Sequence, residues 1–165
     1  MVSAKAIEAF LDNPSLAVVG VSRSGKGFGN FACRALRTKG YRVYPVNWSS
    51  PTVDGVRCYA RVSDLPERVN AALIVVPPAQ AVEVVREAAA AGIRHVWLQQ
   101  GAESAEALTV GAELGLSVVA GECILMFAGP TGIHRAHRWL RQVTHRLPIE
   151  LRTELGTSRV LSSKF

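Results

Sequence analysis

No apolar run in this 165-residue chain reaches the roughly 18 residues that a membrane-spanning helix requires. Cysteine is scarce as well: Cys33, Cys58 and Cys123 stand far apart, with no CxxC pair among them. That argues against a disulfide framework or a cysteine-based zinc site, and points to a reducing compartment. There is no low-complexity tract, and no self-similarity at a period of 20–50 residues, so a solenoid is not expected. The N-terminal stretch carries one Lys before Glu8 and Asp12, the pattern of neither a secretory signal nor a transit peptide. The expectation is a cytoplasmic globular protein with no membrane span.

Net basic charge is nearly absent from the main body. Residues 1–130 hold 12 Lys/Arg against 11 Asp/Glu, whereas residues 131–165 hold 7 against 2, so almost all of the net +6 belongs to the C-terminal segment. A surface built for nucleic acid usually spreads basic residues over the fold. The strands also lack the aromatic–basic interleaving of sheets that read RNA. Nucleic acid is therefore not the expected partner. What remains is ordinary for a single globular domain: 48% hydrophobic and 19% charged residues. A chain of this length buries roughly two-thirds of its unfolded surface.

The apolar pattern alternates between two periods. Ala6, Ile7, Phe10 and Leu11 recur at helical spacing, and Asn13-Pro14 ends that helix. Residues 16–21 are a nearly unbroken apolar run, suited to a strand buried on both faces. Phe28, Phe31, Ala32, Ala35 and Leu36 then mark one face of a helix, closed by Lys39-Gly40. Residues 41–46 read as a strand, Asp54-Gly55 as a turn, and residues 71–76 as another buried strand. Val82, Val85, Arg86 and Ala89 place a stripe on a helix ending at Gly92. Residues 95–99 are the next strand, Ala105, Leu108 and Ala112 the next helix, and residues 116–120 the fifth strand. Strands alternating with helices of 10–15 residues predict an α/β, Rossmann-like fold: a mainly parallel five-stranded sheet with helices on both faces. A basic C-terminal helix is expected over about 131–146, completing a domain of residues 1–147 before a basic tail over 148–165.

The loop Gly20-Val-Ser-Arg-Ser-Gly-Lys-Gly-Phe-Gly29 joins the first long strand to its helix. Glycine permits sharp turns and close approach of a ligand. The helix that follows offers free N–H groups and the positive end of its dipole, suited to phosphate. Ser22, Arg23, Ser24 and Lys26 add donors and charge. Besides a tight turn with no ligand, three ligand readings compete. Gly20-x4-Gly25-Lys26 matches a P-loop, yet Gly27 stands where a magnesium-ligating Ser or Thr belongs, and the third strand ends without an acid. Gly27-Phe-Gly29-Asn-Phe-Ala32 matches the GxGxxG/A dinucleotide motif, but several residues past the strand end. The second strand ends in Asn47, not the acid an NAD ribose would need, although an NADP-type oxidoreductase could use a nearby Arg.

The third reading rests on order. Ala17-Val-Val-Gly-Val-Ser-Arg23, Gly40-Tyr-Arg-Val-Tyr-Pro-Val-Asn47 and Val96-Trp-Leu-Gln-Gln-Gly101 together resemble the CoA-binding family of small Rossmann-like proteins. That family is similar to the N-terminal CoA-binding domain of succinyl-CoA synthetase α-subunits. The resemblance covers roughly residues 12–127. It implies that Ser22, Arg23, Ser24, Gly25 and Lys26 lie at the CoA phosphates, with Gly20 and Val21 also in the binding site and Val46, Asn47 and Trp48 beside the adenosine. It implies further that Val76, Pro77 and Pro78, then Leu98, Gln99, Gln100 and Gly101, flank the ligand. Trp48 stands where many relatives have Pro. All four stretches fall at the C-terminal ends of strands, where open α/β sheets bind ligands.

The ligase's phosphohistidine domain has no counterpart here, so the resemblance implies a stand-alone CoA or acyl-CoA binder, in a sensing, carrier or regulatory role. No complete catalytic constellation and no metal-ligand set stands out. Cys123, after the fifth strand, matches a family cysteine and reads either as a thiol near that of CoA or as a small buried hydrophobe. Glu122 beside it reads as a cap or surface residue. His134, His137, Arg138, Arg141 and His145 share one face of the expected C-terminal helix. That face is either solvated or a contact for CoA phosphates, an acidic partner or an anionic surface, which leaves an interaction module as a further alternative. Exposed Trp139 and Phe127 would suit a homo-oligomer interface.

Overall fold

The structure, a computed structural model, describes residues 3–129. The expected helix over 131–146, with its histidines and Trp139, and the tail over 148–165 lie outside the described residues.

Five parallel strands form the sheet: β1 (Ser15–Val19), β2 (Arg42–Val46), β5 (Ala71–Ile74), β6 (His95–Gln99) and β7 (Ser117–Glu122), in the spatial order β2-β1-β5-β6-β7. The helices are α1 (Ala4–Leu11), α2 (Phe28–Thr38), α3 (Pro78–Ala90) and α4 (Ala105–Glu113). Every residue of β1 and β5 is buried, as continuous apolar runs require when helices cover both faces.

Side chains alternate along each strand and divide the core in two. Leu16, Val18, Leu73, Trp97 and Val119 face α1 and α2, where Phe10 stands edge-on to Trp97 with ring centroids 5.3 Å apart. Ala17, Val19, Ala72, Ile74, Val96 and Leu98 face α3 and α4. The helix stripes are displaced from their expected positions by about one residue. In α2 the buried face is Gly29, Asn30, Ala32, Cys33 and Leu36, and Phe31 is exposed. In α4 it is Ala107, Val110 and Gly111, with Leu108 outside. Alanine-rich helices blur the stripe, because Ala is at home on either face and several registers fit equally well.

Between β2 and β5 the chain forms a small antiparallel hairpin, β3 (Thr52–Val53) and β4 (Val56–Arg57). Its turn residues Asp54 and Gly55 have φ of 52° and 72°, the doubly left-handed turn that matches strand twist. The strands themselves are two residues long, too short for a periodicity to register. Residues 58–60 then run beside β2, where the Tyr59 N–H donates to the Pro45 carbonyl at 3.0 Å and covers the sheet edge. Among the described residues no helix is long and apolar enough to cross a membrane.

Candidate functional site

The strand order reverses direction between β1 and β5: β2 lies to one side of β1, and β5, β6 and β7 to the other. Diverging crossovers leave a crevice beyond the carboxyl ends of those strands, the place where open α/β sheets bind ligands. A cleft of about 530 Å³ opens there. Val19, Gly20, Val46, Val75, Val76 and Pro77 line it at the strand ends, together with Asn47 and Trp48 after β2 and Gln80, Glu83, Val84 and Glu87 of α3. Positions 80, 83, 84 and 87 share one helix face by their spacing. Ala60 and Arg61 complete the rim. A smaller cavity of about 380 Å³ adjoins the segment entering β5 and the end of α3, at Val62, Leu65, Arg68 and Ala91, away from the strand ends.

Gly20 makes this opening geometrically possible. Its φ is +100°, and a Cβ there would stand 2.1 Å from the Val75 carbonyl oxygen, so no side chain fits between β1 and β5. Gly29, in the first turn of α2, lets the helix settle on the Gly20 carbonyl, which a Cβ would approach to 2.8 Å.

The loop between them is held from inside. Asn30, 1% exposed, accepts from the Ser22 N–H at 2.8 Å and donates to the Ser22 carbonyl at 3.0 Å. One amide thus clasps both backbone groups of a residue eight positions away. Nothing in the spacing of apolar residues announces this role. Arg34 binds the Gly25 carbonyl at 3.3 Å and Asp54 at 2.6 Å, tying the hairpin tip to the loop. Ser22 Oγ and Ser24 Oγ lie 2.8 Å apart, and the Gly25 N–H donates back to the Ser22 carbonyl.

So braced, the loop leaves Arg23 and Lys26 exposed, without an ion pair among the described residues. Gly27 precedes α2 without a side-chain cap, and Phe31 makes the first helical bond back to it. The N–H groups of the turn between them have no intrahelical partner. Two free cations, hydroxyls and a helix N-terminus form a donor set that fits phosphate oxyanions. The apolar strand-end wall beside it fits an uncharged portion of the same ligand.

The other expected site residues fall into two groups. Val46, Asn47, Trp48, Val76 and Pro77 line the cleft, and Pro78 opens α3 beside it. Asn47, however, uses its amide within the protein. It donates to the Val21 carbonyl and accepts from the N–H and Oγ of Ser49, each at 2.7 Å. The residues after β6 behave differently. Leu98 is fully buried in the α3/α4 core. Gln99 is 5% exposed and its Oε1 accepts from the Ile124 N–H at 3.2 Å. The Gly101 N–H donates to Glu103 at 2.7 Å, and only Gln100 and Gly101 reach the surface.

Two expectations at the end of β7 need correcting. Glu122 is buried, not a cap or surface residue, and its carbonyl accepts from Trp97 Nε1 at 2.9 Å. Phe127 is buried against Trp97, with ring centroids 5.7 Å apart, so it offers no oligomer surface. Cys123 is half-buried at the margin of the α1/α2 core, between the two readings considered for it. Burial pushes the Cys33 thiol up to about 12 and raises that of Cys58, the opposite of what a nucleophile needs. The arrangement presents donors suited to an anion; among the described residues it shows no activated nucleophile.

Comparison with known proteins identifies the family. Residues 14–128 match the family model described as a CoA binding domain. The chain belongs to this family. Over 129 residues it is 26% identical to the α subunit of acetate–CoA ligase (ADP-forming) II from Pyrococcus furiosus, covering 72% of this chain and 28% of that one. The chain therefore spans little more than a quarter of that curated relative. Among solved structures, a hypothetical protein from Pyrococcus horikoshii is 31% identical with a TM-score of 0.70, covering 75% of this chain and 88% of that one. A protein from Thermus thermophilus is 27% identical with a TM-score of 0.67, covering 82% and 98%. The chain is thus similar both to part of a ligase subunit and to most of two chains of known structure.

Proposed function

We propose that this chain binds coenzyme A or an acyl-CoA at the carboxyl edge of its sheet, in a reducing cytoplasmic setting, as a sensing, carrier or regulatory protein rather than a catalyst. One juxtaposition supports this most. The cleft at the β1/β5 switch point is lined by Gly20, where the braced loop with its free cations and open helix N-terminus begins, inside the span that matches the CoA binding domain. The diphosphate would lie against Arg23, Lys26 and the first turn of α2, with the rest of the nucleotide in the cleft. An oxidoreductase would need an acid–base residue beside β6. Gln99 is instead engaged with the Ile124 N–H, and Gln100 is another amide.

The test is calorimetry and thermal melting with CoA, acetyl-CoA, NAD, NADP and ATP. CoA at 100 times its dissociation constant should stabilise the fold by about 2.7 kcal/mol. For a chain of this size that is an upward shift of roughly 5–10 °C. A response to NADP with none to CoA would overturn the proposal.

A further inference from the structure

Charge is segregated along this chain. From His95 to His134 there is no Lys or Arg, while residues 95–129 carry Glu103, Glu106, Glu113 and Glu122. Residues 131–165 hold 7 Lys/Arg against 2 Asp/Glu. Two of the acids, Glu106 and Glu113, lie seven positions apart on α4, in one row along its exposed side. Neither has an ion-pair partner among the described residues. Beside that row runs an apolar one: Ala105, Leu108 and Ala112 are exposed at i, i+3 and i+7, Leu108 at 40%. The inner face of α4, formed by Ala107, Val110 and Gly111, is apolar as well. A helix apolar on both faces is suited to lie between two layers. It cannot roll to bury Leu108, because it sits so close to β7 that even a Cβ at Gly111 would stand 2.7 Å from Val118 Cγ2.

The complement to this face is in the sequence of residues 131–146, which lies outside the described residues. Ile133, Ala136, Leu140 and Val143 recur there at helical spacing, and Arg135, Arg138 and Arg141 stand between them. The described chain ends on the wrong side of the sheet for an intramolecular contact. Phe127 and Ala128 belong to the α1/α2 side of the core, and the Gly129 carbonyl accepts from Lys39 Nζ at the end of α2. Helix α4 covers the opposite side. Residues 130–132, fully extended, reach about 10 Å. That is roughly one helix diameter, less than a sheet with a helix on each face. The helix nearest the exit, α2, carries Arg34 and Arg37 and no acid, so it repels a basic segment. A second copy of the chain meets neither obstacle.

We propose that residues 131–146 of one copy cover the outer face of α4 of a second copy, reciprocally, in a symmetric dimer. Leu108 and its alanines take the apolar row, and Glu106 and Glu113 face Arg138 and Arg141. The exchange closes on itself, since each copy offers one α4 and one basic segment. It does not rest on the CoA reading. The full-length chain is analysed by sedimentation equilibrium beside two double variants, Glu106→Lys with Glu113→Lys and Arg138→Glu with Arg141→Glu. Wild type should dimerise at micromolar concentrations, and more weakly as salt rises. Each double variant should weaken the dimer about 100-fold or more, because like charges then face one another. An equimolar mixture of the two should dimerise again, since both contacts of the mixed pair join opposite charges. Leu108→Asp, which removes the apolar contact, should weaken the dimer at any salt concentration. Melting curves serve as the folding control, because exposed side chains contribute little to stability. A monomeric wild type, a dimer indifferent to all three variants, or a mixture that stays monomeric would overturn the proposal.

Discussion

The carboxyl edge of the sheet is two different surfaces. At β1, β2 and β5 the strand ends open into a cleft, and the following loop is braced so that its charged side chains stay free. At β6 and β7 the strand ends are closed. Gln99 reaches across to the Ile124 N–H, Trp97 to the Glu122 carbonyl, and the register shifts by a bulge between Leu98 and Gln99. Both halves carry the small and amide residues that mark ligand loops in a sequence. The difference lies in topology: crossovers diverge between β1 and β5, whereas β5, β6 and β7 follow one another in one direction. The amides of Asn47 at the open edge and Gln99 at the closed edge both serve backbone groups; what the open edge leaves exposed is the charge of Arg23 and Lys26.

The comparison can be broken most severely at Gly20. Gly20→Val should cost about 3 kcal/mol or more, because a positive φ and contact with the Val75 carbonyl must both be relieved. Gly27→Ala shares a positive φ, of 110°, but no atom lies within 4 Å of its added Cβ. Its cost should be about 1–2 kcal/mol, from backbone strain alone. Chemical denaturation of the two variants would separate crowding from strain, and equal losses would contradict the account of Gly20.

Charge at the open half comes next. Arg23→Ala and Lys26→Ala should each weaken CoA binding about tenfold or more, as loss of a charged hydrogen bond does. Stability should stay within about 0.5 kcal/mol of wild type, since neither side chain has an ion-pair partner among the described residues. Calorimetry paired with melting checks both halves of that expectation.

The closed half should respond in the opposite way. Gln99→Leu leaves the Ile124 N–H without its acceptor in a buried setting, which should cost about 1–3 kcal/mol of stability. CoA affinity should change less than about threefold. A large loss of affinity with unchanged melting would mean that β6 belongs to the site after all.

The last comparison is a pH dependence. Burial holds the Cys33 thiol near 12 in the folded chain, against 9.0 for a solvated thiol. Above pH 9 the unfolded chain releases this proton and the folded chain keeps it, so stability falls as pH rises from about 9 toward 12. Cys58 and Tyr41, both raised by burial, act in the same direction. Cys33→Ala should flatten the decline, and an unchanged slope of melting temperature against pH would assign it elsewhere.

The fold was largely legible because the buried strands are continuous apolar runs and glycine or proline punctuates nearly every element. Helix faces were legible only to within a residue, since Ala81, Ala88 and Ala107 carry little hydrophobic contrast with their neighbours. Residues 20–26 stood out by composition, and their order with the later motifs pointed to the family. Two kinds of residue stayed hidden. Asn30 and Arg34 look like ordinary helix positions, and only the folded backbone brings them under Ser22 and Gly25. Conversely, the backbone bonds of Asn47 and Gln99 were not legible, because an amide that serves a neighbouring backbone group is indistinguishable in sequence from one that serves a ligand. Gln80 and Glu83 gave no signal in the sequence, and the structure places them in the lining of the cleft.

Amide hydrogen exchange with and without CoA tests the division of the sheet edge most directly. The account predicts added protection at residues 22–30, 47–49 and 76–80, and no change at 99–104 or 121–126. Protection at the β6 and β7 ends without protection of the glycine loop would contradict it.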